Sequence, residues 1–230
     1  MMKKLLFVLV LLILAPTICL SEEYSLLEGK NNEVCEAYHK NLNSLTDSVG
    51  TIACERRFQE DNPDLKGIDW QSTWAPAPIT GHMTRINPDI WDKILSFVSP
   101  SQYPTRRCVF SGREIRKAKI DIDNDGNIET VYRVEIYLCR SSKYYATYIV
   151  VFDEKKNEID MERTEKILKS AMQEGVISAF VMYDAFTYKG KTYFDMWDEG
   201  GYVNDPKMLT VYLFENNHIQ KICTCQYIKQ

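Results

Sequence analysis

The chain has 230 residues, 45% apolar and 26% charged, values of an ordinary globular protein that exclude a disordered or collagen-like chain. Twenty-eight lysines and arginines stand against 32 acids, a net charge of −4, so nothing favours nucleic acid as a partner. Aromatics reach 12%, led by 14 tyrosines, a composition that leans towards strands.

Lys3 and Lys4 precede an unbroken apolar run from Leu5 to Leu14, which Ala15-Pro16 ends. The run is too short to span a bilayer, which takes about 20 residues. The pattern predicts a secretory signal peptide over residues 1–21. Cys19 raises the alternative of a lipid anchor, but Pro16 and Ile18 fit the flanks of such a site poorly, and ordinary cleavage near Cys19–Ser21 is expected. Removing that segment takes away two lysines and no acids, leaving a mature charge of −6. No later stretch approaches spanning length, so an exported protein, periplasmic or secreted, without a transmembrane segment is expected. No N-x-S/T acceptor occurs, which points to a bacterial rather than a eukaryotic source.

Six cysteines remain after Cys19: Cys35, Cys54, Cys108, Cys139, Cys223 and Cys225. In an oxidising compartment they read as up to three disulfides, with 15 connectivities open. Cys35–Cys54 is the expected pair, as a staple for a short helix-and-loop unit. Cys223 and Cys225 read as same-face strand positions reaching different partners.

Residues 31–48 carry Val34, Ala37, Tyr38, Leu42 and Leu45 at helical spacing behind a capping Asn pair. Residues 55–86 look irregular and Pro-rich. Asn87-Pro88-Asp89 starts a second helix through Ile90, Trp91, Ile94, Leu95 and Val98. From residue 115 the period becomes two, with strands at 115–122, 128–138 and 144–152. A helix over 160–174 follows, capped by Asp160 and ended by Gly175, with Glu162, Arg163, Lys166 and Lys169 as a solvated face. Two hairpins close the chain, 176–188 with 192–197 around Lys189-Gly190, and 208–214 with 218–228 around Glu215-Asn216-Asn217. The predicted class is α+β: an antiparallel β-meander with N-terminal helices and one inserted helix. The predicted organisation is a signal peptide (1–21), a helical, irregular, disulfide-stapled lead-in (22–86) and an α+β domain (87–230), the last two forming one unit.

The segment Asp121-Ile-Asp123-Asn-Asp125-Gly126-Asn127-Ile-Glu129 stands out. Asp121, Asp123, Asp125 and Glu129 occupy positions 1, 3, 5 and 9 of a loop, and the backbone carbonyl of Asn127 occupies position 7, a set that suits calcium better than magnesium. Tyr132 stands where an EF-hand needs its bidentate Glu, and the flanks look like strands. The competing reading is a tight hairpin turn, since Asn124, Asp125 and Gly126 are turn-forming residues. The loop resembles the strand-flanked D-x-D-x-D-G-x-x-[DE] calcium sites of FG-GAP/VCBS-type extracellular β-proteins, over nine residues. That resemblance implies a structural calcium ion. More broadly, Cys35-Glu-Ala-Tyr38, Ala53-Cys54-Glu-Arg56, the Asp121–Glu129 loop and Tyr188–Trp197 resemble an uncharacterised group of exported bacterial proteins, which implies export and a shared fold but no activity.

His39, His82 and His218 have no partner at metal spacing, and nucleophile elbows, P-loops and dinucleotide fingerprints are absent. The best catalytic candidates are Asp195, Asp198 and Glu199 beside Trp197, a carboxylate set that could serve glycoside hydrolysis. Trp70, Trp74 and Tyr103, in Pro-rich segments, are the candidate binding aromatics. The expected function is therefore a binding or inhibitory domain, calcium-stabilised through its loop, whose partner is a protein or saccharide of the cell envelope or exterior. The alternatives are an envelope-directed hydrolase using the acids near Asp195–Glu199, or a structural or assembly factor.

Overall fold

A computed structural model describes residues 23–44, 58, 62–76, 83–85, 88–98, 113–137, 145–173, 181–198 and 207–228. The elements run β1 (Glu23–Glu28), α1 (Glu33–Ser44), β2 (Leu65–Gly67), β3 (Gln71–Ser72), β4 (Trp74–Pro76), β5 (Met83–Arg85) and α2 (Pro88–Val98). They continue with β6 (Arg113–Ile120), β7 (Glu129–Tyr137), β8 (Tyr145–Asp153), β9 (Glu158–Ile159), α3 (Met161–Gln173), β10 (Val181–Tyr188), β11 (Lys191–Asp198), β12 (Met208–Glu215) and β13 (His218–Ile228).

Each helix begins where its first residues provide a cap. Asn32 Oδ1 accepts the Val34 N–H at the start of α1 (3.1 Å), and Asp160 Oδ1 accepts the Arg163 N–H at the start of α3 (3.0 Å). Pro88 opens α2 with no N–H to orphan. The hairpin turns use residues that tolerate positive φ: Lys189 (47°) and Gly190 (82°) join β10 to β11, and Asn216 (52°) and Asn217 (61°) join β12 to β13.

Among the described residues, eleven strands form one mixed sheet in the order β1-β13-β12-β11-β10-β8-β7-β6-β3, with β2 on β10 and β9 on β8, while β4 and β5 pair apart. This overturns the α+β expectation of N-terminal helices followed by an antiparallel meander. The first described element is a strand, and it pairs with the last, Glu23 opposite Ile228. Four short strands, β2 to β5, lie within the region expected to be irregular. β10 runs parallel to β8, Met182 opposite Thr147, because α3 carries the chain back between them. Parallel neighbours need a long crossover, here carrying a helix, and cannot be a meander step. β2 pairs with the end of β10 and β3, just downstream, with β6. The segment 65–72 therefore completes a circuit of pairings through β10, β8, β7 and β6.

Among the described residues the core has three parts. Val34, Cys35, Tyr38 and Leu42 of α1 pack on Phe186, Trp197, Leu209, Val211 and Cys223. Ile167 of α3 packs with Val131, Ile149, Phe194, Tyr212 and Phe214. Trp91 and Ile94 of α2 pack with Ile115, Tyr132, Val134 and Val150. Strands β10 to β12 bury residues on both faces, which explains their near-continuous apolar sequence.

α1 also protects the β1 edge. The Asn43 side chain pairs with Tyr24 as a strand would, Oδ1 accepting its N–H (2.7 Å) and Nδ2 donating to its carbonyl (3.0 Å), with His39 Nε2 2.7 Å from the same oxygen. A disulfide, Cys35–Cys223, ties α1 to β13 with a Cα separation of 5.8 Å, within ordinary bridging distance. It replaces the expected Cys35–Cys54 pairing, because α1 lies across β13 in space although 188 residues away in sequence. Cys225 is a free, buried thiol pushed up to about 12 by burial. Cys19, Cys54, Cys108 and Cys139 lie outside the described residues, as does the expected signal segment.

Gly29 lies between β1 and α1 at φ 85°, and a Cβ there would sit 2.7 Å from Cys223 Cβ and 2.8 Å from Cys35 Sγ. Gly29→Ala combines left-handed backbone strain with a clash against the staple. The expected loss is about 3 kcal/mol, or roughly 6–12 °C in thermal midpoint. A fall below 2 °C would show that β13 yields at no cost.

Candidate metal centre

The connection between β6 and β7 is organised by its own carboxylates. Asp121 accepts the Asp125 N–H at Oδ1 and the Gly126 N–H at Oδ2, both at 3.0 Å. Asp125 Oδ1 accepts the Asn127 N–H at 2.8 Å. Asn124 (φ 55°) and Gly126 (φ 89°) make the reversal. Gly126 is required by its backbone alone, since a Cβ there would meet nothing within 4 Å. Glu129, the first residue of β7, turns back so that Oε2 accepts the Ile122 N–H at 3.1 Å.

The loop is fastened to two other parts of the fold. Asn124 Nδ2 donates to the carbonyls of Thr192 and Phe214 (2.9 Å each), and its Oδ1 accepts the Thr192 N–H at 2.8 Å. From α3, Arg163 Nε donates to Asp123 Oδ2 at 2.6 Å, Nη1 to Asp160 Oδ2 at 2.8 Å and Nη2 to Asp125 Oδ2 at 3.5 Å.

One oxygen from each of Asp121, Asp123 and Glu129 lies within 4.8 Å of the other two. Calcium–oxygen distances of 2.3–2.6 Å allow ligand pairs up to about 5 Å apart, so each pair of these oxygens lies within the span of one such ion. Asp123 is only 6% exposed, and its Oδ1 is buried with no hydrogen-bond partner. An unpaired carboxylate oxygen at that depth is costly unless something positive completes it. Burial is the largest influence on Glu129, raising its pKa to about 7 against the stabilising Ile122 N–H, with Asp123 also repelling its charge. The Asn127 N–H holds Asp125 below the usual carboxylate range. The bond to Asp123 chiefly raises Arg163. A polar cleft of about 460 Å³, lined by Asn127, Glu129, Asp160, Arg163 and Lys155, adjoins Glu129.

Of the five residues expected to hold an ion, Asp121, Asp123 and Glu129 converge. Asp125 turns to Arg163 and Asn127, while Asn127 is exposed. Arg163 is the residue that sequence reasoning missed, having been read as part of a solvated face. Its position three residues after the capping Asp160 is the one local hint, since that spacing lets one acid hold both its N–H and its side chain.

The remaining candidates are placed differently. Asp195 is fully buried in β11 and accepts a 2.5 Å hydrogen bond from the Tyr38 hydroxyl, so it belongs to the core under α1. Asp198 is half-buried at the end of the same strand, and Glu199 lies outside the described residues. Trp70 is half-buried and donates from Nε1 to Asp184 Oδ1 at 2.9 Å. Trp74 is a backbone partner of Arg85 in the β4–β5 ribbon, and Tyr103 lies outside the described residues. His39 is bound to Tyr24, His218 opens β13, and His82 is outside the described residues. No described helix is long and apolar enough to cross a membrane.

The chain matches no protein-family model, no curated protein and no solved structure.

Proposed function

We propose that this protein is an exported, disulfide-stapled domain that acts by binding, and that a divalent cation of the calcium type on Asp121, Asp123 and Glu129 locks its β6–β7 loop. The observations that carry the cation are the convergence of one oxygen each from Asp121, Asp123 and Glu129 and the buried, unpaired Oδ1 of Asp123. Export is supported by the signal-like N-terminal segment and by the disulfide between α1 and β13. The role of the ion is structural: through Asn124 and Arg163 the loop reaches β11, β12 and α3. The partner class is a protein or saccharide of the envelope or exterior. A binding role is favoured over hydrolysis because Asp195 is consumed by the core.

The test is a thermal melt of the mature protein with calcium, with magnesium and with chelator. At 100 times its dissociation constant calcium adds about 2.7 kcal/mol, a rise of roughly 5–10 °C for a chain of this size. Asp123→Asn abolishes the rise, whereas Asp125→Asn keeps most of it. An unchanged midpoint at 10 mM calcium (about tenfold above the weakest extracellular affinities) would remove the cation from the account.

A further inference from the structure

Five carboxylates crowd the β6–β7 loop and the start of α3, namely Asp121, Asp123, Asp125, Glu129 and Asp160, and Arg163 contacts three of them. Its guanidinium takes Asp123 Oδ2 and leaves Oδ1 buried and unpaired. Resting on the cation reading above, we infer that Arg163 is the residue that sets the affinity of this site, as a resident counter-charge with which a divalent cation competes for Asp123.

The two oxygens of one carboxylate are shared between two positive groups in this arrangement. An ion at Oδ1 would lie a few ångströms from a guanidinium held at 2.6 Å from Oδ2, where the Asp123 side chain is 92% buried and that of Arg163 31% exposed, so water screens the pair only in part. Like charges at that range repel strongly, and each drains the carboxylate density available to the other. The site is therefore set to bind weakly, in the range of extracellular calcium modules rather than of intracellular sensors. The guanidinium is also held by Oδ2 of Asp160, the residue whose Oδ1 caps α3, so its departure would leave that capping carboxylate without its charged partner. Cation binding and the hold of Arg163 on the loop thus oppose each other, and occupancy is transmitted to α3.

Calcium titration by calorimetry separates this from a supporting role for Arg163. Arg163→Gln, which removes the charge and keeps a polar head, binds calcium at least tenfold more tightly than the wild type, while Arg163→Lys, which keeps the charge, stays within about threefold of it. Equal or weaker binding by Arg163→Gln overturns the inference and leaves the metal site standing. No heat for either wild type or Arg163→Gln at 10 mM calcium overturns both. Hydrogen exchange on the wild-type protein gives an independent reading that needs no variant. Calcium slows exchange over residues 121–129 and quickens it in the first turn of α3, whereas a supporting arginine would slow both.

Discussion

Replacing Cys35 and Cys223 together by alanine is expected to lower the melting midpoint by about 10–20 °C. The two cysteines are 188 residues apart, and closing a loop of that length restrains the unfolded chain by about 5 kcal/mol in the chain-entropy model. Each kcal/mol corresponds to roughly 2–4 °C at this size. Both cysteines are fully buried between α1 and β13, so alanine also removes packing. The double substitution is the right probe, because a reductant would act on every disulfide at once. Calorimetry of the oxidised wild type against the double variant decides the matter. A difference below about 4 °C would mean that the unfolded chain is already restrained in some other way.

The second large effect lies in the circuit formed by β10, β8, β7 and β6. Arg133 has a side chain only 2% exposed, with Nη2 3.2 Å from Glu135 Oε1 and Nη1 3.7 Å from Asp184 Oδ2. Asp184 Oδ1 in turn accepts bonds from Trp70 Nε1 and from the Ala185 N–H. Arg133→Met leaves the Asp184 charge buried without its counter-ion, at an expected cost of about 3–5 kcal/mol. Adding Asp184→Leu removes the stranded charge, so the double variant is expected to be more stable than Arg133→Met alone. Denaturant unfolding of the two single variants and the double variant measures this coupling. Strictly additive losses would show that the two charges do not sense one another.

What was legible in the sequence follows the range of the forces involved. The helices α1, α2 and α3 rest on caps and on apolar spacing within a few residues, and each lies within a few residues of its expected span. The β10–β11 and β12–β13 hairpins were equally visible, because Lys189-Gly190 and Asn216-Asn217 carry the positive φ that tight turns require. β1 was not visible: a six-residue strand beside the signal-like segment has no local mark, and its partner β13 is nearly the whole chain away. The parallel step from β8 to β10 was missed for a related reason, since period-two patterning marks a strand without stating its direction. The carboxylate loop was read from its spacing, and three of its five acid and amide candidates do converge. Its coupling to Arg163 and to the carbonyls of Thr192 and Phe214 depends on tertiary proximity, which spacing along one segment does not encode.

The pairing of β1 with β13 also orders events in time. β1 has its hydrogen-bonding partner in β13, nearly 200 residues later, so this edge of the sheet cannot close until the intervening chain has been made. Contacts of such sequence separation are slow to form, because the entropy of closing the loop must be overcome before the pairing stabilises anything. Until β13 arrives, α1 can pack on β10 to β12 but not on β13, β1 has no strand to pair with, and Cys35 lacks its disulfide partner. This end of the domain is thus held open until β13 has been made.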